Sequence, residues 1–176
     1  MDFGRVMEAV IEFLEGKGFR YAVVGGFALA AYGLPRTTLD LDFVVESAIQ
    51  ENLIQFLESL GYRTLHRSTG FSNHEHADPL WGRLDFIYVN EDTSRELFSS
   101  CRQLPGLRDR TIPVPRPEHL VAMKVSAMKS DPGRALKEMT DIRFLLKLPG
   151  VDRHKAESYF ERQGLGDRLD EIKRTL

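Results

Sequence analysis

An α/β fold, with a small mixed β-sheet core and a helical C-terminal part, is what this sequence predicts, and three observations carry it. Apolar positions at helical spacing alternate with short apolar runs through the first third of the chain. Two runs, Leu39 to Val45 and Gly82 to Val89, read as buried strands that carry acids. Beyond residue 115 the pattern is helical throughout, which places a core in residues 1–115 and a helical region in 116–176.

Phe3, Val6, Met7, Val10, Ile11 and Leu14 form the apolar stripe of a first helix over residues 3–15, ended by Gly16 and Gly18. A strand over 19–24 follows, and Gly25-Gly26 turns it into a short helix over 27–32 that Gly33 and Pro35 close. Next comes the strand with Asp40 and Asp42, whose opposite face takes Leu39, Leu41 and Phe43. Ser47 is placed to cap a helix carrying Ile49, Leu53, Phe56, Leu57 and Leu60; Gly61 ends it before a strand over 62–66.

Residues 67–80, with Gly70, Asn73, His74, Glu75, His76, Asp78 and Pro79, have the composition of a loop. The Asp85 strand emerges from it, and a variable stretch with Pro105 and Gly106 leads to a short edge strand over 111–115. Pro117 suits a first helical turn, while Asp131-Pro132-Gly133 and Pro149-Gly150 separate the later helices.

Composition narrows the function classes. The one cysteine, Cys101, cannot close an intramolecular disulfide or build a thiolate metal site, which fits a reducing compartment. The start, Met1-Asp2-Phe3-Gly4-Arg5, lacks a basic leader with an apolar run, and no segment is long and apolar enough for a bilayer, so a cytoplasmic protein is expected. A formal net charge of −2 gives no global attraction for nucleic acid.

Asp40 and Asp42 share one face of their strand, and Asp85 sits in a second apolar strand. Ionised carboxylates in such surroundings require a compensating positive charge. No basic residue alternates with them, so a divalent ion held by Asp40, Asp42 and Asp85 is the economical expectation, and all-oxygen ligands suit Mg²⁺ or Mn²⁺. Gly25 and Gly26 let backbone come close to a ligand such as phosphate.

Residues 23–43, VVGGFALAAYGLPRTTLDLDF, resemble the Gly-Gly turn and Asp-x-Asp signature of the polymerase-beta-like nucleotidyltransferase superfamily. Asp85 matches that superfamily's third acid, on a later strand. Arg36-x-Thr38-x-Asp40-x-Asp42 is particularly similar to the bacterial branch of abortive-infection and toxin–antitoxin (AbiEii-like) nucleotidyltransferases, with aminoglycoside nucleotidyltransferases sharing a related run. Many relatives carry serine in the glycine turn where this chain has Gly26. Pro117 to Lys124, then Arg134, Lys137 and Asp141, are similar to the branch's lysine helix and Arg-Lys-Asp helix, with Glu138 where an acid directly follows the second lysine.

Lys124 also falls between Leu120, Val121, Ala127 and Met128 on a helical wheel, where an ammonium either meets a buried phosphate or carboxylate or snorkels to water. Lys137 and Asp141, four apart, could equally form a surface ion pair. His74, Glu75, His76 and Asp78 match no zinc spacing and read as an entrance loop.

The resemblance implies a transferase that moves a nucleoside monophosphate from a nucleoside triphosphate such as ATP to an acceptor hydroxyl and releases pyrophosphate. It implies two Mg²⁺ or Mn²⁺ ions on Asp40, Asp42 and Asp85, catalytic roles for these acids and Lys124, and nucleotide binding by Gly25, Gly26, Arg36, Thr38, Lys124, Lys137 and Asp141, with the helical region closing the cleft. The expected acceptor is a tRNA 3′ end, with an antitoxin protein as a further partner. A small hydroxylated acceptor of the aminoglycoside kind, a non-catalytic nucleotide- or partner-binding module, and a metal-dependent phosphohydrolase are the alternatives.

Overall fold

The computed structural model describes residues 1–35 and 37–176. They form two compact units, Met1–Pro115 and Arg116–Leu176.

The first unit is built on a five-stranded mixed sheet in the order β1-β2-β5-β4-β3, with a separate hairpin of β6 and β7. Helix α1 (Phe3–Gly16) starts where the Asp2 side chain accepts from the Arg5 N–H, and it buries Val6, Met7, Val10, Ile11 and Leu14, the stripe that its spacing predicts. Strand β1 (Tyr21–Val23) pairs antiparallel with β2 (Asp40–Glu46), and between them lies the short helix α2 (Gly25–Ala31). Helix α3 (Gln50–Ser59) leads to the hairpin of β3 (Tyr62–Arg67) and β4 (Phe71–His76), and β5 (Arg83–Val89) pairs antiparallel with β4 and parallel with β2.

Leu41, Phe43 and Val45 of β2 are buried together with Leu84, Phe86 and Tyr88 of β5, while Phe43 and Phe86 stack at 5.5 Å. Helices α1 and α3 meet through the stacked rings of Phe13 and Phe56. Burying the core side of each strand leaves alternate residues of β2 and β5, including the three acids, on the other face.

Four sequence expectations are corrected here. Residues 71–76 are strand, not loop: the inward Ser72 and His74 satisfy one another (Oγ to Nε2, 2.8 Å), and Tyr88 and Thr64 complete the network, so these two polar side chains are buried with their hydrogen bonds made. Leu39 lies outside β2 and is 78% exposed, so it does not join Leu41 and Phe43 in the core. Ser47 opens a 3-10 turn, Ser47–Ile49, and makes no capping bond to α3. The stretch after β5 holds helix α4 (Glu91–Ser99), capped by Asn90, and strand β6 (Arg102–Pro105), which pairs with β7 (Thr111–Val114).

The second unit is helical. Pro117 occupies the first turn of α5 (Pro117–Ser130); a 3-10 turn, Pro132–Arg134, precedes α6 (Ala135–Lys147); α7 (Arg153–Gln163) and α8 (Gly166–Lys173) finish the chain. Val121, Val125, Ile142, Leu145, Ala156, Phe160 and Ile172 are fully buried. Among the described residues, no helix is long and apolar enough to cross a membrane.

Candidate active site

The parallel pairing of β2 with β5 sets Asp42 directly opposite Asp85, and the two-residue period of β2 puts Asp40 on the same face. One carboxylate oxygen from each of Asp40, Asp42 and Asp85 lies within 4.8 Å of the others. Two negative charges at that separation repel by about 3–4 kcal/mol at an effective dielectric near 20. Three converging carboxylates therefore fit a hard divalent cation, which takes oxygen ligands and cancels the repulsion.

Gly25, Gly26 and Thr38 lock this cluster in place. Gly25 has φ of +61°, a conformation that disfavours side chains, and a Cβ there would run into the Asp42 carboxylate. The backbone can thus lie directly against that acid. A Cβ on Gly26 would come within 2.8–2.9 Å of the Thr38 side chain, so glycine lets the turn pack directly against that residue. The Thr38 hydroxyl in turn donates to Asp40 Oδ1 at 2.7 Å, and the Val24 N–H donates to the Asp42 carbonyl at 2.9 Å. Arg36 of the same motif lies outside the described residues.

The residues singled out in the helical unit form a cluster of their own. Lys124 Nζ donates to Glu138 Oε2 at 2.9 Å and to Asp141 Oδ2 at 2.6 Å, and Arg134 pairs with the other Glu138 oxygen at 2.9 Å. The Lys124 side chain is 13% exposed, against 2% and 4% for Glu138 and Asp141. The buried anions facing Lys124 are thus carboxylates, and Asp141 points to Lys124. Lys137 is exposed. Glu138 was not assigned a role from sequence, although its three-residue spacing from Asp141 places both acids on one face of α6.

His74, Glu75 and His76 do not gather into a metal cluster, because they alternate across β4. His74 is buried against Ser72 and Thr64, Glu75 pairs with Arg63, and the His76 ring lies 3.1 Å from the Leu60 carbonyl. Burial pushes the His74 pKa down to about 4. Asn73, read as part of a loop in sequence, stands opposite Asp85 on β4 and so belongs to the acid-bearing face.

Residues 6–175 match the family described as nucleotidyl transferase AbiEii toxin, type IV toxin–antitoxin system. None of the curated proteins compared with the chain matches it. The antibiotic-resistance factor ANT(2″)-Ia, in solution, superposes with a TM-score of 0.69 at 17% identity, covering 99% of this chain and 98% of that one. The lincosamide antibiotic adenylyltransferase LnuA in its lincomycin-bound crystal structure gives 0.58 at 18% identity, over 81% of this chain and 96% of its own. An antigenic nucleotidyltransferase-like protein from Paracoccidioides brasiliensis gives 0.54 at 15% identity, over 96% and 91%. At these identities the likeness is one of fold.

Proposed function

We propose that this chain, which belongs to the AbiEii nucleotidyltransferase toxin family, transfers a nucleoside monophosphate from a nucleoside triphosphate such as ATP to an acceptor hydroxyl. The observation that supports the reading is the convergence of Asp40, Asp42 and Asp85 beside the Gly25-Gly26 turn. Asp40, Asp42 and Asp85 would hold two Mg²⁺ or Mn²⁺ ions, which when bound neutralise phosphate charge and lower the pKa of an acceptor hydroxyl.

The chain's own groups divide the remaining work. Gly25 and Gly26 admit the triphosphate to the backbone, and Thr38 fixes the Asp40 carboxylate through its hydroxyl. Arg36 belongs to the same nucleotide-binding motif. The acceptor oxygen forms a bond to the α-phosphorus, the bond from that phosphorus to the β-phosphate oxygen breaks, pyrophosphate leaves, and the hydroxyl proton passes to an Asp85 carboxylate oxygen. The helical unit's contribution is Lys124, Lys137 and Asp141. Glu138 and Asp141 use two of the three N–H donors of Lys124, and the third serves a phosphate oxygen.

A tRNA 3′ end in the cytoplasm is the acceptor of this reading, and a cognate antitoxin protein is its regulatory partner, as the family description suggests. The test is incubation with each α-³²P-labelled nucleoside triphosphate, Mg²⁺ and total tRNA, with Asp42→Asn beside the wild type. Label in RNA from the wild type alone supports the reading and identifies the base. Pyrophosphate release with an aminoglycoside and none with RNA replaces the acceptor with a small molecule. Free phosphate as product makes the protein a phosphohydrolase, and no product with any acceptor makes it a binding module.

A further inference from the structure

The acid-bearing face of the sheet continues beyond Asp85 over β4 and β3. Asp42, Asp85, Asn73 and His66 stand in register across β2, β5, β4 and β3. A register shift between Thr64 and His66 makes this row: Leu65 is the extra residue, and the shift sets His66 opposite Asn73 instead of Ser72, on the acid-bearing face. Two residues further along β2, β5 and β4, Asp40, Arg83, Glu75 and Arg63 form a second row, in which Arg63 and Glu75 lie 3.7 Å apart. With neighbouring strands about 4.8 Å apart, His66 is about 10 Å from Asp85.

We propose that this strip, from Asp85 across Asn73 to His66 and Arg63, seats the 3′-terminal nucleotides of a single-stranded nucleic-acid acceptor. The inference rests on the nucleotidyl-transfer reading, in which the triphosphate occupies the side of the acids lined by Gly25, Gly26 and Thr38. The acceptor must then arrive from the opposite side, over β5, β4 and β3.

The side chains there match single-stranded nucleic acid in three ways. Asn73 Oδ1 is shielded from water and accepts no hydrogen bond among the described residues, an arrangement that destabilises the side chain until a donor arrives. A small turn about χ2 brings it onto a ribose hydroxyl or base N–H set down beside Asp85. The rings of His66 and Phe71, with centroids 6.3 Å apart, offer a base a surface to stack on. Arg63 and Arg83 flank Glu75 on this face, and their guanidinium groups suit a phosphate backbone.

The test measures binding of a short 5′-fluorescein-labelled single-stranded RNA by anisotropy, with the wild type, Asn73→Leu and Arg63→Glu, over a range of salt. Arg63 is 77% exposed, so its substitution leaves folding intact; His66→Ala serves beside it if Asn73→Leu fails to fold. Each variant is expected to bind RNA about tenfold more weakly, with a salt dependence for Arg63→Glu that is shallower by about one ion or more. Calorimetry on the same proteins follows Mg²⁺-dependent nucleoside triphosphate binding, which the strip variants are expected to keep.

RNA affinity at the wild-type level in Asn73→Leu and Arg63→Glu overturns the strip even where triphosphate binding is intact. Kanamycin binding is read by the same calorimetry, and its loss in the strip variants with unchanged RNA affinity overturns the assignment to nucleic acid. A wild-type protein that binds RNA through these residues but shows no Mg²⁺-dependent triphosphate binding upholds the strip as an RNA surface and removes the transfer reading instead.

Discussion

Replacing Lys124 with methionine separates a lysine that serves the fold from one that serves only a substrate. The substitution keeps the apolar stem and removes the ammonium that lies 2.9 Å from Glu138 and 2.6 Å from Asp141. Both carboxylates are almost fully buried, and Arg134, half exposed, pairs with Glu138 as well. Removing one partner of a buried charge pair costs about 3–5 kcal/mol, and the lower end applies because Lys124 retains some exposure. A loss of about 3 kcal/mol in a chain of this size lowers Tm by about 6–12 °C. Thermal unfolding followed by circular dichroism measures it. The triple variant Lys124→Met, Glu138→Gln, Asp141→Asn removes the buried carboxylate charges together with the ammonium and is expected to recover most of the stability. A Lys124→Met protein that melts within about 2 °C of the wild type refutes the reasoning, since it would mean that the ammonium contributes nothing to holding these carboxylates.

Gly25→Ala is expected to fold with a loss of about 1–2 kcal/mol from its positive φ, and to bind Mn²⁺ poorly because the new Cβ displaces the Asp42 carboxylate; titration calorimetry reads the second effect. Thr38→Val keeps the shape and removes the 2.7 Å bond to Asp40, so Mn²⁺ affinity should fall about tenfold with an unchanged melting curve. His74 stays neutral in the fold down to about pH 4, whereas the unfolded chain protonates near pH 6.5. Its contribution is therefore undiminished above pH 6.5 and falls as pH drops, by up to about 3 kcal/mol at pH 4. Urea unfolding at pH 7 and pH 4.5 should show this loss in the wild type and a smaller one in His74→Gln.

The acids were legible because strand periodicity and apolar neighbours are local properties: Asp40, Asp42 and Asp85 announce their face without a partner strand. Their convergence was not local, since it depends on β2 pairing in parallel with β5 and on the particular register that sets Asp42 against Asp85. Residues 71–76 were misread because Ser72 and His74 are polar yet satisfied by Thr64 and Tyr88, contacts that exist only once the hairpin has docked. That misreading also hid Asn73, a neighbour of Asp85. Helix α4 buries little beyond Ser94 and Leu97, so its apolar signal was weak, although Asn90 before Glu91 and Asp92 marks its start. Lys124 was legible as a lysine needing an anion, while Glu138 and Asp141 as its partners required the packing of α5 against α6.

The central claim, that the three carboxylates create a metal-dependent nucleotide site, is tested most directly by calorimetric titration of a non-hydrolysable nucleoside triphosphate analogue into wild type and Asp42→Asn, with and without Mg²⁺. The account predicts binding by the wild type only when Mg²⁺ is present, and its loss in an Asp42→Asn protein that melts like the wild type. Equal binding by both proteins, or binding indifferent to Mg²⁺, would contradict it.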